Sequence, residues 1–320
     1  MNEDFQNQQG PEEETHEETK LFSTMSPLSA AFIALIGIFL LYQFGGALLT
    51  IAIFGLNFEK ADVNALRLLT MGGQILLMLL PTLVLARYVY RDNISIILRM
   101  RFPSFKEIGA FVLGLILLTP LLQNFLYLQN FLLQRLAAFS PFIKSIMNSL
   151  DQLDALIEKT YGNLLTSHSV FESSFIIFVV AVVPALCEET FFRGFVQKSF
   201  EQKLKPSSSI LITGIFFGLY HFNPYGLIAL IALGVYFGYA AYASNSIFVP
   251  MTLHFFNNFI AVLAFLILGK EELINTSATK NDNVFPQLIS LIIFSILFFS
   301  YITYVKNNYH KLLPKHSEEL

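Results

Sequence analysis

The 320-residue chain is unusually apolar, since hydrophobic residues make up 54% of it and charged residues only 13%. Soluble domains carry about 25% charged residues, so the composition favours an integral membrane protein. The net charge of -3 and the lack of a basic face with interleaved aromatic residues exclude a nucleic-acid partner. The single cysteine, Cys187, excludes an intrachain disulfide framework and a cysteine-cluster metal site.

The first 24 residues are polar and acidic. They predict a disordered tail, because they cannot bury enough apolar surface to offset the entropy lost on ordering. The stretch has no basic n-region, and the first apolar run that follows is too long for the apolar part of a signal peptide. We therefore interpret residues 1–24 as a tail that precedes the membrane-embedded part of the chain.

Eight apolar runs then meet or approach the roughly 20 residues that a helix needs to cross a bilayer. The sequence therefore predicts an all-α fold, a polytopic transmembrane helix bundle of about eight spans. In chain order the runs are Pro27–Leu56, Ala65–Tyr90, Ile108–Leu133, Phe171–Val196, Ser208–His221, Tyr225–Ala243, Ile247–Leu268 and Phe285–Val305.

The fifth run is the weakest, because it is short and ends against the sequence HFNPYG at residues 221–226. Proline and glycine at that end predict a helix terminus or a broken helix at membrane depth. Between spans three and four, apolar residues recur at helical spacing through residues 137–168. This pattern predicts an amphipathic helix on the membrane or over the bundle, with an ordered loop as the alternative.

Lysine and arginine clusters follow spans two, four and eight, and with eight spans all three clusters lie on one side. The positive-inside rule makes that side the cytoplasm, so both termini are expected there, in a bacterial inner membrane. The predicted organisation is a tail, spans one to three with the amphipathic segment, a core of spans four to seven, and a last span with a cytoplasmic tail. These parts cover residues 1–24, 25–170, 171–268 and 269–320.

Ionisable residues inside the predicted spans concentrate in one part of the chain, from span four to span seven. Spans one, two, three and eight are predicted to have none in their interiors. A charge at the bilayer centre costs about 2.5–3.5 kcal/mol on insertion scales, so such a concentration indicates a function. The residues concerned are Glu172, Glu188, Glu189, Arg193, His221 and His254.

The sequence CEETFFRG at residues 187–194 contains two adjacent glutamates and an arginine. Glu189 and Arg193 are four residues apart, in the order that favours a helical ion pair. The pair would neutralise both charges and leave Glu188, about 100° around the helix, as an unpaired carboxylate. The structural alternative is a charge cluster at the cytoplasmic end, with Arg193 reaching the lipid headgroups.

Two further motifs place polar residues on helix faces. FGLYH puts Phe217 and His221 on one face, and HFFNN puts His254 and Asn258 on one face. Their structural alternatives are an interfacial or packing histidine at the end of span five, and hydrogen bonds that hold helices together in span seven.

Together, a carboxylate, two imidazoles and an amide have the chemistry needed to activate a water and stabilise an oxyanion. Glu188 and His221 would remove the proton, and His254 and Asn258 would hold the developing charge. Alternatively, Glu188, His221 and His254 form a His₂Glu ligand set with one open position, which is typical of a catalytic zinc site. The residues alone leave both alternatives open.

The three motifs, EETFFRG, FGLYH and HFFNN, resemble in order the patterns EExxxR, FxxxH and HxxxN of the CPBP family. This family of intramembrane proteases is also called the CAAX protease or Abi family, and the resemblance extends over roughly residues 171–268. It implies a CAAX-type endopeptidase that acts in the bilayer on peptide or membrane-anchored protein substrates. It also implies catalytic roles for Glu188, His221, His254 and Asn258, and supporting roles for Glu189, Arg193 and Phe217.

The resemblance leaves the cofactor open, because both metal-dependent and metal-free glutamate mechanisms are argued for the family. A divalent metal such as zinc, bound by Glu188, His221 and His254, is therefore one expectation. A second expectation concerns depth: at 1.5 Å per residue, Glu188 and His254 should lie nearer the cytoplasmic face than His221. A tilted or re-entrant span five would be needed to bring them together.

Two other classes of function compete with proteolysis. One is a non-proteolytic immunity or assembly protein of the same fold, in which the polar residues only hold helices together. The other is an ion-coupled transporter, because glutamate and histidine inside the membrane also form proton relays. The chain lacks the inverted repeats of many transporters, and its polar residues occupy only one half of it, which argues against transport.

Overall fold

A computed structural model describes residues 22–56, 61–268 and 283–312. Of the described residues, 86% are helical, and they contain no β-strand beyond one isolated bridge between Met100 and Ser246. Most of the predicted disordered tail, residues 1–24, lies outside the described residues, and so does the end of the predicted cytoplasmic tail. At the start of the described chain, Thr24 donates a backbone hydrogen bond to the carbonyl of Val89.

Nine long helices form the described part of the bundle, and seven of them are long and apolar enough to cross a bilayer. This confirms the predicted all-α polytopic bundle. The two exceptions are α4, which is amphipathic, and α6, which has 15 residues. The helices are α1 (Pro27–Phe54), α2 (Val63–Tyr90), α3 (Phe105–Phe139), α4 (Pro141–Leu165), α5 (Val170–Glu201), α6 (Pro206–Tyr220), α7 (Leu227–Ser244), α8 (Phe248–Leu268) and α9 (Phe285–Asn307).

Helix α5 lies at the centre of the bundle. Over their apolar segments, α7 is 50% buried inside the protein and α5 39%, compared with 11% for α9. Helix α5 is interrupted by two π-helical stretches, Phe178–Val182 and Thr190–Val196. These stretches flank the two adjacent glutamates, and π-helical turns inside α-helices are frequent at functional sites.

Helices α6 and α7 form a close-packed hairpin because glycines face each other across it. A Cβ atom added to Gly214 would lie 2.7 Å from a side-chain methyl of Val235 and 2.9 Å from its backbone nitrogen. Such close approach between small residues is a common basis of helix association in lipid. Since α6 is only about 22 Å long, the turn at residues 221–226 lies short of a full crossing of the hydrocarbon core of about 30 Å.

Helix α4 covers this turn, and its position confirms the predicted amphipathic helix between spans three and four. The helix has Pro141 at its first position, and Ser140 caps it from the residue before. The hydroxyl of Ser140 accepts a hydrogen bond from the backbone N–H of Ile143. The Tyr225 hydroxyl in the turn donates to Asp151 of α4.

The start of α2 contains an arginine that is buried. Arg67 donates from Nε to the carbonyl of Leu164 at 2.9 Å and from a second nitrogen to the carbonyl of Thr166. The last carbonyls of a helix have no partner within it, so the guanidinium completes the C-terminal end of α4. The burial of Arg67 depends on a helix that is distant in sequence, which explains why hydropathy alone did not indicate it.

Candidate active site

Side chains from α2, α6 and α8 contact Glu188 or the neighbouring Glu189, in the middle of α5. Each of the residues singled out by the three motifs lies in or beside this group, together with one residue that the motifs did not include. We call the following residues the site cluster: Gln74 of α2; Glu188, Glu189 and Arg193 of α5; Phe217 and His221 at the end of α6; and His254 and Asn258 of α8.

The carboxylate of Glu188 has one oxygen bound and one free of any protein donor. Its Oε1 accepts a hydrogen bond of 3.3 Å from the amide of Gln74. Its Oε2 is buried, has no hydrogen-bond donor among the described residues, and lies 3.9 Å from Nε2 of His221. This separation is too long for a direct hydrogen bond. The side chain of Glu188 is 12% exposed and that of His221 is 27% exposed, so the pair is reached from outside the bundle.

The orientation of His221 is set by its own helix. Its Nδ1 lies 2.7 Å from the backbone carbonyl of Phe217, and because a carbonyl can only accept, Nδ1 carries the hydrogen. In the neutral ring Nε2 is then an acceptor that faces Glu188. Helix α6 stops at this point, because the next residue, Phe222, has a φ of 49°, in the left-handed region that ends a helix.

Glu189 and Arg193 form the ion pair that their spacing predicts. An Nη atom of Arg193 donates to Oε1 of Glu189 at 2.8 Å, and both side chains are fully buried. The other Nη atom donates to the carbonyl of Gly234 at 2.9 Å. The guanidinium also lies 4.4 Å from the ring centroid of Phe217 and 5.4 Å from that of Phe237. Aromatic faces stabilise a desolvated cation, so Phe217 supports the buried charge.

His254 contacts Glu189, a bond that the sequence did not predict. Its Nδ1 lies 2.7 Å from Oε1 of Glu189, the same oxygen that accepts from Arg193. The sequence interpretation had assigned Glu189 to Arg193 alone. The amide of Asn258, one turn further along α8, donates to the carbonyl of Val180 at 3.0 Å. Its oxygen accepts from Asn257, so the amide group is held against α5 on one side.

The expected difference in depth between Glu188 and His221 is absent. The expectation assumed that span four ends at Val196, but α5 continues as a helix to Glu201. Glu188 therefore lies about 20 Å from the end of α5. His221 lies about 22 Å from the start of α6 at the same end of the bundle. A short, uninterrupted α6 brings the two side chains together without the tilted or re-entrant span that the sequence required.

Gln74 is the member of the site cluster that the sequence analysis missed. It is buried on α2, more than 100 residues before Glu188. A signal was present, because polar residues recur every three or four positions at the start of this apolar run and so share a helix face. They are Asn64, Arg67, Thr70 and Gln74. The signal was overlooked because amides and hydroxyls do not count as ionisable residues in a search for buried charge.

The ligand set expected for a metal is not gathered as a group among the described residues. In the described ranges, no three histidine, cysteine, aspartate or glutamate side chains are grouped closely enough to hold a metal ion. Of the expected ligands, Glu188 and His221 face each other, while His254 directs Nδ1 to Glu189. We therefore derive no chemical step through a metal.

The fold and the site define a multi-pass integral membrane protein with a buried, partly open carboxylate–imidazole site. Residues 170–260 match the family model described as Rce1-like, type II CAAX prenyl endopeptidase Rce1-like. The match covers less than a third of the chain but contains all three motifs, so it confirms the resemblance over this region. The matched family is a family of proteases. No curated protein and no solved structure matches the chain.

Proposed function

We propose that this protein is an intramembrane endopeptidase that hydrolyses peptide bonds of membrane-anchored substrates with a water activated by Glu188 and His221. The observation that carries the proposal is the pair of facing atoms, Oε2 of Glu188 and Nε2 of His221, 3.9 Å apart. A single water has two hydrogens and can donate one to each acceptor, which fixes its lone pairs for attack on a carbonyl.

In the first step, Oε2 of Glu188 takes a proton from the water while the water oxygen forms a bond to the scissile carbonyl carbon. The π electrons of the carbonyl move to its oxygen, which becomes an oxyanion. In the second step an electron pair of the oxyanion re-forms the C=O double bond while the C–N bond breaks, and the electron pair of that bond goes to the nitrogen, which takes the proton held by Glu188. The products are a carboxylic acid and an amine, and Glu188 returns to its carboxylate form.

The oxyanion would be held by His254 and Asn258. Because ionised Glu189 can only accept, Nδ1 of His254 carries a hydrogen. Donation by Nε2 requires a second hydrogen, and the resulting imidazolium has Glu189 as its counter-ion. The amide of Asn258 keeps one N–H besides that given to Val180. Preorganised donors of this kind commonly provide the largest single contribution to acyl-transfer catalysis.

This protonation state also balances the charges of the site cluster. Glu188 and Glu189 are negative, while Arg193 and the imidazolium of His254 are positive. Buried charges persist in a low-dielectric interior only when they are paired and hydrogen-bonded. Uptake of a proton by Glu188 at the start of the reaction leaves one net positive charge, which the oxyanion neutralises in the transition state.

Several finer features belong to the same proposal. CAAX-type processing of a prenylated peptide is the reaction for which the matched family is described, and the bilayer would present such a substrate beside the bundle. We also propose that both termini lie in the cytoplasm of a bacterial cell, and the lysine and arginine clusters support that orientation of the termini. The ends of α2, α5 and α9 would then lie on the cytoplasmic side.

The first test uses purified full-length protein in liposomes and a quenched fluorogenic peptide with an S-farnesyl cysteine followed by three C-terminal residues. Wild type should cleave the peptide, and Glu188→Gln should lose at least about a hundredfold of the rate, the usual contribution of a general base. Glu172→Gln is the matched control, because Glu172 lies on the same helix but binds only the turn before α5. Its rate should equal that of wild type.

A second test does not depend on the choice of peptide. Mass spectrometry of new protein termini in membranes from cells that express wild type or Glu188→Gln should find termini that only wild type produces. Identical termini in both membranes, together with no cleavage of the farnesylated peptide, would refute the proposal. Both assays are repeated with a chelator, and a loss of activity that added zinc restores would contradict the metal-free mechanism.

A further inference from the structure

In the described part of the chain, α2 supplies the one hydrogen bond to the reacting carboxylate that comes from outside the region matched by the family model. Among the described residues, Gln74 is the only hydrogen-bond donor to Glu188. The bond runs from Nε2 of Gln74 to Oε1 of Glu188 at 3.3 Å, and Gln74 itself is 6% exposed. The oxygen that Gln74 leaves free, Oε2, is the one that faces His221.

A glutamate needs such a donor if it is to act as a base. Its carboxyl group rotates about three side-chain bonds, and a base must be within hydrogen-bond reach of the water in a fixed direction. A donor on Oε1 fixes the plane of the carboxylate and directs the lone pairs of Oε2 towards His221. Ionised Glu189 has no hydrogen to donate, and the Nη atoms of Arg193 donate to Glu189 and to the carbonyl of Gly234 instead.

We propose that Gln74 is the positioning residue of the catalytic base: its amide holds Oε1 of Glu188 so that Oε2 stays directed at the attacking water. This inference rests on the proposed function. It implies that the region of residues 170–260 does not contain the complete reaction site, and that α2 is part of it.

The position of Gln74 is itself fixed by its neighbours on α2. Arg67 lies two turns earlier on the same face and binds the C-terminal end of α4. Met78 lies one turn later and is buried in the core. Between them the helix passes into the π-helical stretch Ile75–Leu79 directly after Gln74. Because its neighbours on α2 are fixed on both sides, Gln74 can hold the carboxylate of Glu188 within the narrow range of positions that a reaction site requires.

The alternative role for Gln74 is to hold helices together, and another glutamine of this chain provides the comparison. Gln129 of α3 donates from Nε2 to the backbone carbonyl of Tyr225 at 2.8 Å. Like Gln74, it leaves a buried amide oxygen without a donor among the described residues. Gln129 does not contact the site cluster, so Gln129→Met removes an equivalent helix contact and serves as the matched control for Gln74→Met.

The test measures kcat and KM for the farnesylated peptide in liposomes, and thermal unfolding of each variant. Methionine keeps the length of glutamine but has no N–H. We expect Gln74→Met to lower kcat about ten- to hundredfold, the effect of losing a hydrogen bond to a charged group. KM should change little, and Gln129→Met should keep the kcat of wild type. Equal kcat values for the two variants, or an effect of Gln74→Met on KM alone, would overturn the inference.

A second measurement does not require turnover. The infrared carboxyl bands of Glu188 are those that disappear in Glu188→Gln, and their positions depend on hydrogen bonding to Oε1. They should shift in Gln74→Met and stay in place in Gln129→Met. An unshifted band in Gln74→Met refutes the role of Gln74 even if wild type is active. Absence of cleavage by wild type in both the peptide assay and the protein-terminus assay instead refutes the proposed function, so the two failures are distinguished.

Discussion

The protein contains two groups of largely buried charged residues, and they differ in whether every carboxylate oxygen has a hydrogen-bond donor among the described residues. The site cluster contains the carboxylates of Glu188 and Glu189, and in each of them Oε2 has no donor among the described residues. The second group, which we call the Arg99 cluster, lies at the end of the bundle where α2 and α5 end. All four of its carboxylate oxygens accept hydrogen bonds. It consists of Arg99, Arg101, Glu107 and Glu201.

The comparison teaches that buried charge does not by itself indicate chemistry. Glu107 is as buried as Glu189, yet it is bound by Arg101, Tyr309 and the backbone of Ser104, so no lone pair is left for a substrate or a water. A group with free buried acceptors must obtain donors from outside the protein. By this criterion we expect the Arg99 cluster to stabilise the fold, and we propose the site cluster as the place of the reaction.

The first prediction tests whether the Arg99 cluster stabilises the fold without taking part in the reaction. Arg99→Met is expected to have the largest effect. Arg99 is 2% exposed and donates to Glu201 and to the carbonyl of Ala241. Its loss removes the cation that binds Glu201 directly and leaves Lys198 at 3.9 Å, and breaking a buried pair in this way costs about 3–5 kcal/mol. Thermal unfolding in detergent should show a large drop in midpoint, whereas the folded fraction should cleave the farnesylated peptide at close to the rate of wild type.

Arg87→Met is the control for this prediction. Arg87 is exposed and donates to the carbonyl of Arg91 nearby, and an exposed arginine contributes about 0–1 kcal/mol. Its unfolding midpoint should stay close to that of wild type. Equal midpoints for Arg99→Met and Arg87→Met would show that the Arg99 cluster does not stabilise the fold.

Glu189→Gln is expected to have a smaller effect, which lowers both kcat and the unfolding midpoint. The reason is that Glu189 binds both the buried Arg193 and His254. The variant removes the counter-ion of the imidazolium, so His254 would stabilise the oxyanion without its charge. We expect kcat to fall about ten- to hundredfold, with a lower unfolding midpoint. Glu201→Gln, the corresponding change in the Arg99 cluster, should lower only the midpoint. A normal kcat in Glu189→Gln would contradict the role assigned to His254.

The fold could be predicted largely from hydropathy, because crossing a bilayer imposes length and composition on each helix separately. The predicted span Phe285–Val305 corresponds to α9, Phe285–Asn307, almost residue for residue. The ends that were misplaced are those set by partners. Helix α5 continues past Val196 because Gln197 and Glu201 find donors and acceptors in α7 and in the Arg99 cluster. Composition contains no information about such partners.

Contacts within the site cluster could be predicted only where the two contacting residues are close together in the sequence. The spacing of four residues gave the Glu189–Arg193 pair, because a helix brings such residues together whatever surrounds it. The bonds from His254 to Glu189 and from Gln74 to Glu188 join residues 65 and 114 positions apart. They depend on how α2 and α8 pack against α5. A sequence interpretation can identify the polar residues but cannot predict which of them are partners.

Both clusters also depend on one face of α7, because backbone carbonyls on that face accept hydrogen bonds from side chains of each cluster. These carbonyls recur every three or four residues, so they lie along one side of the helix. A displacement of α7 would therefore disturb the site cluster and the Arg99 cluster together. The carbonyls belong to Gly234, Gly238, Ala241 and Ser244, and they accept from Arg193, Gln197, Arg99 and Arg101 respectively.

Gly214→Ala should produce the smallest effect and the only one shared by both clusters. The new methyl group would lie 2.9 Å from the backbone nitrogen of Val235, and backbone cannot rotate away, so α6 and α7 must separate. Overpacking of this kind costs about 1–3 kcal/mol, and both kcat and the unfolding midpoint should fall moderately. The control is Gly37→Ala, where the methyl group meets no atom within 4 Å. If Gly214→Ala lowers only one of the two quantities, α7 does not couple the clusters.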